Sequence, residues 1–154
     1  MDSRFLKGVF SAVLAGVIQA SLLAGPYGLK ANWILAGVSA YAFVVPGFFV
    51  YAAVSLIASV TLYAISGFAV PSYAVFAALI FAYALRRFFP WQPLPGYSIA
   101  LFAATFVPYA IVDPRFIALH PYLVATEAVC TAVLGIVLHA LFTRLYDETG
   151  RYPS

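Results

Sequence analysis

The sequence predicts an all-α integral membrane protein with six transmembrane helices and both termini in the cytoplasm. Of its 154 residues, 65% are hydrophobic and only 8% are charged, whereas soluble domains carry about 25% charged residues. A water-soluble domain of this size has too little interior to bury so much apolar surface. Proline, glycine and charged residues also divide the chain into apolar runs that suit membrane crossing. We therefore expect a single membrane domain over residues 1–154.

The first apolar run, residues 5–24, shows how such a helix would pack. It is roughly 20 residues long, enough for a helix to cross the hydrocarbon of a bilayer. Small residues recur in it at every fourth position, namely Gly8, Ala12, Gly16, Ala20 and Ala24. Because small residues let helices approach closely in lipid, we expect this stripe to dock a partner helix. A cleaved signal peptide is an alternative, since Arg4 and Lys7 precede the apolar core of the run.

Five further runs follow, at about 32–45, 48–65, 70–85, 97–112 and 121–142, with a proline-rich connection at 90–96 and a short interfacial segment at 116–119. Pro46 leaves an alternative open, because it is either a turn or a kink in one long helix, and a kink gives five spans. The positive-inside rule favours six spans, which leave only Lys30 and Arg115 outside. Arg86 and Arg87 then lie in a cytoplasmic loop, where topology explains them and a docking role is the alternative.

The last span carries a carboxylate, Glu127, about a turn and a half from its start. A charge in hydrocarbon costs about 3 kcal/mol, so the side chain is expected to face the bundle interior. It either binds a partner or ligand, or makes a structural hydrogen bond to a Ser or Thr of a neighbouring helix. Thr131, Gly135 and His139 follow at spacings of four and share its helix face. We interpret this polar face as one that presses against another helix.

The pattern of reactive residues argues against catalysis. The chain has no HExxH or GxSxG motif and no glycine-rich phosphate loop after a strand. His120 and His139 lie roughly 28 Å apart along what is nearly one helix, so they cannot ligate one metal. The scattered cations form no basic face for nucleic acid. We expect neither enzyme activity nor a cofactor, metal or nucleic-acid partner.

Three stretches are typical of a known layout: Gln19–Leu23 at the end of the first span, Gly28–Trp33 before the second, and Glu127–Gly135 in the last, before a basic tail with Arg144 and Arg151. Together with the chain length and the six spans, they resemble the rod shape-determining MreD family. That family is related in fold to the substrate-binding S components of energy-coupling-factor transporters. Thr131 stands where the family pattern has asparagine.

The resemblance implies a non-enzymatic plasma-membrane subunit of the cell-wall elongation machinery. Such a subunit would bind MreC and the peptidoglycan synthase complex, with the stripe of the first span or the polar face of the last docking a partner helix. An S component that captures a small vitamin or metal is the alternative, although the polar groups for an outer pocket are few. A third alternative is an accessory subunit of a respiratory complex or a secretion channel.

Overall fold

The computed structural model describes residues 3–21, 31–44, 47–66, 72–88 and 93–147. These ranges are almost entirely helical, which confirms the all-α prediction for this part of the chain. The elements are α1 (Ser3–Ser21), α2 (Trp33–Val44), α3 (Phe48–Ser66), α4 (Ser72–Leu85), a single 3-10 turn (Arg86–Phe88), α5 (Pro93–Val112), α6 (Pro114–Leu119) and α7 (Pro121–Asp147). Pro46 lies outside the described residues, between the end of α2 and the start of α3.

Helix bounds follow the predicted runs closely, but α5 and α6 begin earlier, each at a proline, and α7 extends to Asp147. Pro93, Pro114 and Pro121 are the first residues of α5, α6 and α7. Proline suits a first turn because the N–H groups there have no intrahelical partner. The connection predicted at 90–96 is therefore wrong in part, since α5 already begins within it. Asp113 caps α6, and its carboxylate accepts the backbone N–H of Arg115 at 3.1 Å.

Among the helices that the structure describes, three are long and apolar enough to cross a membrane, within Phe48–Ile65, Pro95–Val112 and Pro121–Arg144. A shorter apolar stretch, Phe5–Gln19, lies in α1. The 12 residues of α2 and the 14 of α4 rise only about 18 and 21 Å, less than the ~30 Å of hydrocarbon in a bilayer. The described helices are compatible with a membrane protein.

Helix α2, which is shorter than every described helix except the six-residue α6, lies at the centre of the bundle. It contacts α1, α3, α4, α5 and α7, and every residue from Ile34 to Tyr41 is buried. Around it, α1 packs on α3, α3 on α4, α4 on α5, and α5 on α7. Apolar side chains such as Phe10, Phe49 and Val137 are exposed on the outside. The core is therefore formed by α2 together with the buried side chains of the helices around it.

Candidate functional site

The polar face predicted on the last span lies against α2 and α5. The backbone N–H of Asn32 donates to Thr131 Oγ1 at 3.0 Å. One turn further along both helices, the Tyr97 hydroxyl of α5 lies beside Ala36 of α2 and Gly135 of α7. One turn beyond that, the His139 ring contacts the Ala40 backbone. The matched pairs, each 99 residues apart in sequence, are Asn32 with Thr131, Ala36 with Gly135, and Ala40 with His139. We call this parallel contact the α2–α7 seam.

Side chains of two neighbouring helices fix the position at which α2 begins. The N–H of Trp33 donates to Gln19 Oε1 of α1 at 2.7 Å, beside the bond from Asn32 to Thr131 of α7. The N–H of Leu35 donates to the Asn32 side chain at 2.9 Å. First-turn N–H groups have no intrahelical acceptor, and leaving them unbonded in apolar surroundings is costly. The start of α2 is therefore set by side-chain acceptors on α1 and α7.

Tyr97 of α5 joins the three helices of the seam. Its side chain is fully buried, and its hydroxyl donates to the Ala36 carbonyl of α2 at 2.9 Å. Its ring lies 5.1 Å, centroid to centroid, from the His139 imidazole of α7. A Cβ added to Gly135 would lie 2.9 Å from Tyr97 Oη, closer than real Cβ atoms approach. Glycine at position 135 thus leaves the space that the tyrosine fills.

Glu127 lies one turn before Thr131 on α7, and it is half-buried. The Tyr109 hydroxyl of α5 donates to its carboxylate at 2.5 Å. The Tyr109 ring stacks on Phe116 of α6 with centroids 5.4 Å apart and planes at 8°, and Phe116 contacts the His120 ring. The carboxylate therefore accepts an interhelical hydrogen bond from the Tyr109 phenol, a donor that the sequence analysis did not name. The cluster ties the adjacent ends of α5, α6 and α7.

The small-residue stripe of α1 packs inside the same chain. Ala12 is fully buried, and a Cβ added to Gly8 would lie 2.7 Å from Tyr41 Oη of α2. A Cβ added to Gly16 would lie 3.0 Å from Thr61 Cγ2 of α3. The helices that dock on these three positions are thus α2 and α3, so a helix of another protein would need a different face of α1. Outside the described side chains lie Ala20 and Ala24.

Arg86 and Arg87 form the start of the 3-10 turn that follows α4. Arg86 is half-buried and Arg87 is exposed. They lie beside the beginning of α5, to which the turn makes contact. The structure therefore divides the described site residues among the seam, the pair of Glu127 with Tyr109, the interior packing of α1, and this turn.

Sequence reasoning missed the tyrosines that join helices. Tyr97 of α5 and Tyr51 of α3 are fully buried, and Tyr109 is half-buried. The Tyr51 hydroxyl donates to the Leu79 carbonyl of α4 at 2.7 Å. Each of the three tyrosines bonds an acceptor on a different helix. The signal was present, because a tyrosine inside an apolar run, away from the interface, needs a hydrogen-bond partner for its hydroxyl.

The described site residues are arranged to join helices. Within the described ranges, no group of three or more His, Cys, Asp or Glu side chains is placed to hold a metal ion. No protein-family model, no curated protein and no solved structure matches this chain. Inferences about its function therefore start from the geometry of the helices and their surfaces.

Proposed function

We propose that this protein is a non-enzymatic, multi-pass subunit of the plasma membrane that binds other membrane proteins through its helix faces. The assembly proposed is the cell-wall elongation machinery, with partners of the MreC and peptidoglycan synthase type. The proposed topology has six spans and cytoplasmic termini. It is supported by Lys7 at the start of α1, Arg87 after α4 and Arg144 near the end of α7, which then share one side.

The observation that carries the proposal is the outward face of α7. Small or β-branched side chains follow one another there at alternating spacings of four and three. They are Thr126, Cys130, Val133, Val137 and Ala140, all exposed, and we call them the α7 outer face. Bulkier side chains such as Leu6 and Phe10 of α1 and Phe49 of α3 are among those exposed on the other helices. In lipid, small side chains let helices approach, and a period of 3.5 residues keeps two helices in register.

Cys130, the one cysteine of the sequence, gives a direct test because it lies exposed on the α7 outer face. A photo-crosslinker attached to this thiol in native membranes should form an adduct with another membrane protein, identified by mass spectrometry. A matched control carries C130S with V60C, which moves the probe to an exposed valine of α3. That control should form few protein adducts.

Adducts with an MreC-type protein or a wall synthase would support the proposed assembly. Adducts with lipid alone at Cys130, or the same adducts from the α3 control, would contradict docking through the α7 outer face. Adducts with other proteins would keep the docking role and remove the cell-wall assignment.

A second candidate function is that of an S component for a small vitamin or metal. It is favoured by the pairing of the half-buried Glu127 with Tyr109. Glu127 lies one helical turn before Thr131, the residue that accepts a hydrogen bond at the start of the short α2. Substrate sites of transporters are often built where short or broken helices end beside polar side chains. Calorimetry on the purified protein would detect such a ligand, and E127Q and Y109F should both weaken its binding. Absence of heat from a panel of vitamins and divalent metals would contradict this candidate.

A further inference from the structure

Aromatic and cationic side chains both lie at the end of the bundle where α3 begins and α4 ends. Phe48 is the first residue of α3, and its ring lies 5.5 Å from that of Tyr83 in the last turn of α4. Phe49 beside it is 86% exposed, and Phe88, which closes the 3-10 turn, is 75% exposed. The ring contact brings the start of α3 next to the turn. We call Phe48, Phe49, Arg86, Arg87 and Phe88 the aromatic–arginine patch.

The described charges are unequally distributed between the two ends of the bundle. Helix α5 follows the 3-10 turn and contacts it. Its 20 residues rise about 30 Å, so Asp113 lies at the far end of the bundle from the patch. Glu127 follows only six residues into α7, which starts from that far end. Among the side chains that the structure describes, both carboxylates thus lie away from the patch. The described cations at the near end are Lys7, Arg86, Arg87 and Arg144.

We propose that the aromatic–arginine patch binds the headgroup of an anionic phospholipid. Guanidinium groups donate paired hydrogen bonds to phosphate oxygens. Exposed phenylalanine rings at a helix end insert at the boundary between headgroups and acyl chains. The patch has both chemistries at the start of α3, a helix of membrane-spanning length. The inference concerns the lipid at this end of the bundle and does not depend on which protein docks on α7.

The test uses the purified full chain in neutral detergent, titrated with phosphatidylglycerol or phosphatidylcholine and followed by native mass spectrometry. We expect the protein to retain phosphatidylglycerol in preference to phosphatidylcholine. R87Q removes an exposed cation of the patch, and it should weaken that retention about five-fold, since one basic residue near a lipid surface contributes about 1 kcal/mol. R115Q, an exposed arginine at the opposite end, is the matched control and should change nothing.

A second variant guards against an unfolding artefact. F49A keeps both arginines and should also lower lipid retention, and thermal unfolding of each variant should match that of the parent. Equal retention of the two lipids by the parent protein would overturn the proposal. Phosphatidylglycerol retention that falls equally in R87Q and R115Q, or in neither, would also overturn it. Displacement of the lipid by a stoichiometric polyglutamate peptide would assign the patch to an acidic protein instead.

Discussion

The helices α2 and α7 run side by side, yet they relate to their surroundings in opposite ways. The 12-residue α2 is buried on every side between Ile34 and Tyr41. The 27-residue α7 buries Thr131 and Gly135 and exposes Val133 and Val137. In a water-soluble protein, the opposite face of α7 would be buried, because valines are expected inside and threonines at the surface. When lipid is the solvent, hydrogen bonds and close approach decide which face is inside.

The largest expected effect comes from filling the seam. In G135L, the added side chain enters the space of Tyr97 and Leu101, so we expect a loss of about 3 kcal/mol or no folded protein. V133L places the same side chain two residues earlier, on the α7 outer face, and should leave stability unchanged. Thermal unfolding in detergent compares them. Equal stability of the two variants would mean that Tyr97 and Leu101 of α5 do not pack against Gly135 as they do in the structure.

A smaller effect is expected from removing the acceptor that fixes the start of α2. T131V leaves the Asn32 N–H without the oxygen at 3.0 Å, so we expect a loss of about 1–2 kcal/mol. T131S keeps the hydroxyl and should recover most of it. The matched control is T126V, because the exposed Thr126 hydroxyl donates only to the Tyr122 carbonyl of its own helix. If T126V cost as much in thermal unfolding as T131V, the seam would have no special role.

The bond between Glu127 and Tyr109 sharpens the comparison near the start of α7. E127Q keeps a carbonyl oxygen as acceptor and should be tolerated, whereas E127L leaves the Tyr109 hydroxyl without this acceptor and should cost about 1 kcal/mol. Adding Y109F to E127L should recover part of that loss, because the two changes remove one shared interaction. A double-mutant cycle on unfolding free energies measures the coupling. Strictly additive losses would contradict the bond.

The smallest effect on stability is expected on the outward side. V137W enlarges an exposed residue, so the unfolding free energy of the isolated protein should change by less than about 0.5 kcal/mol. If the α7 outer face docks a partner, the same variant should abolish the protein adduct from Cys130 in native membranes. V60W on α3 is the control and should keep the adduct. An adduct that survives V137W would leave the α7 outer face as a lipid-facing surface only.

Part of the candidate site could be predicted from spacing alone. The interval of four between Thr131, Gly135 and His139 places them on one helix face whatever surrounds it, and the structure has them on the seam. The identity of the opposing helix could not be predicted, because α2 is 99 residues away and its register depends on side-chain contacts. The same reasoning expected a packing face on α1 for a helix of another protein, whereas Gly8 and Gly16 lie against Tyr41 and Thr61 of the same chain.

By itself, the sequence determined that the described chain is helical and close to where each helix begins and ends, because apolar runs and their proline, glycine and charged boundaries act locally. Only the tertiary structure decided that α2 is central, that Gly8 and Gly16 accommodate Tyr41 and Thr61, and that Tyr97 joins three helices. Where lipid and protein interior are equally apolar, hydropathy cannot distinguish a buried face from an exposed one. That choice rests on hydrogen bonds and close contacts between residues far apart in the chain.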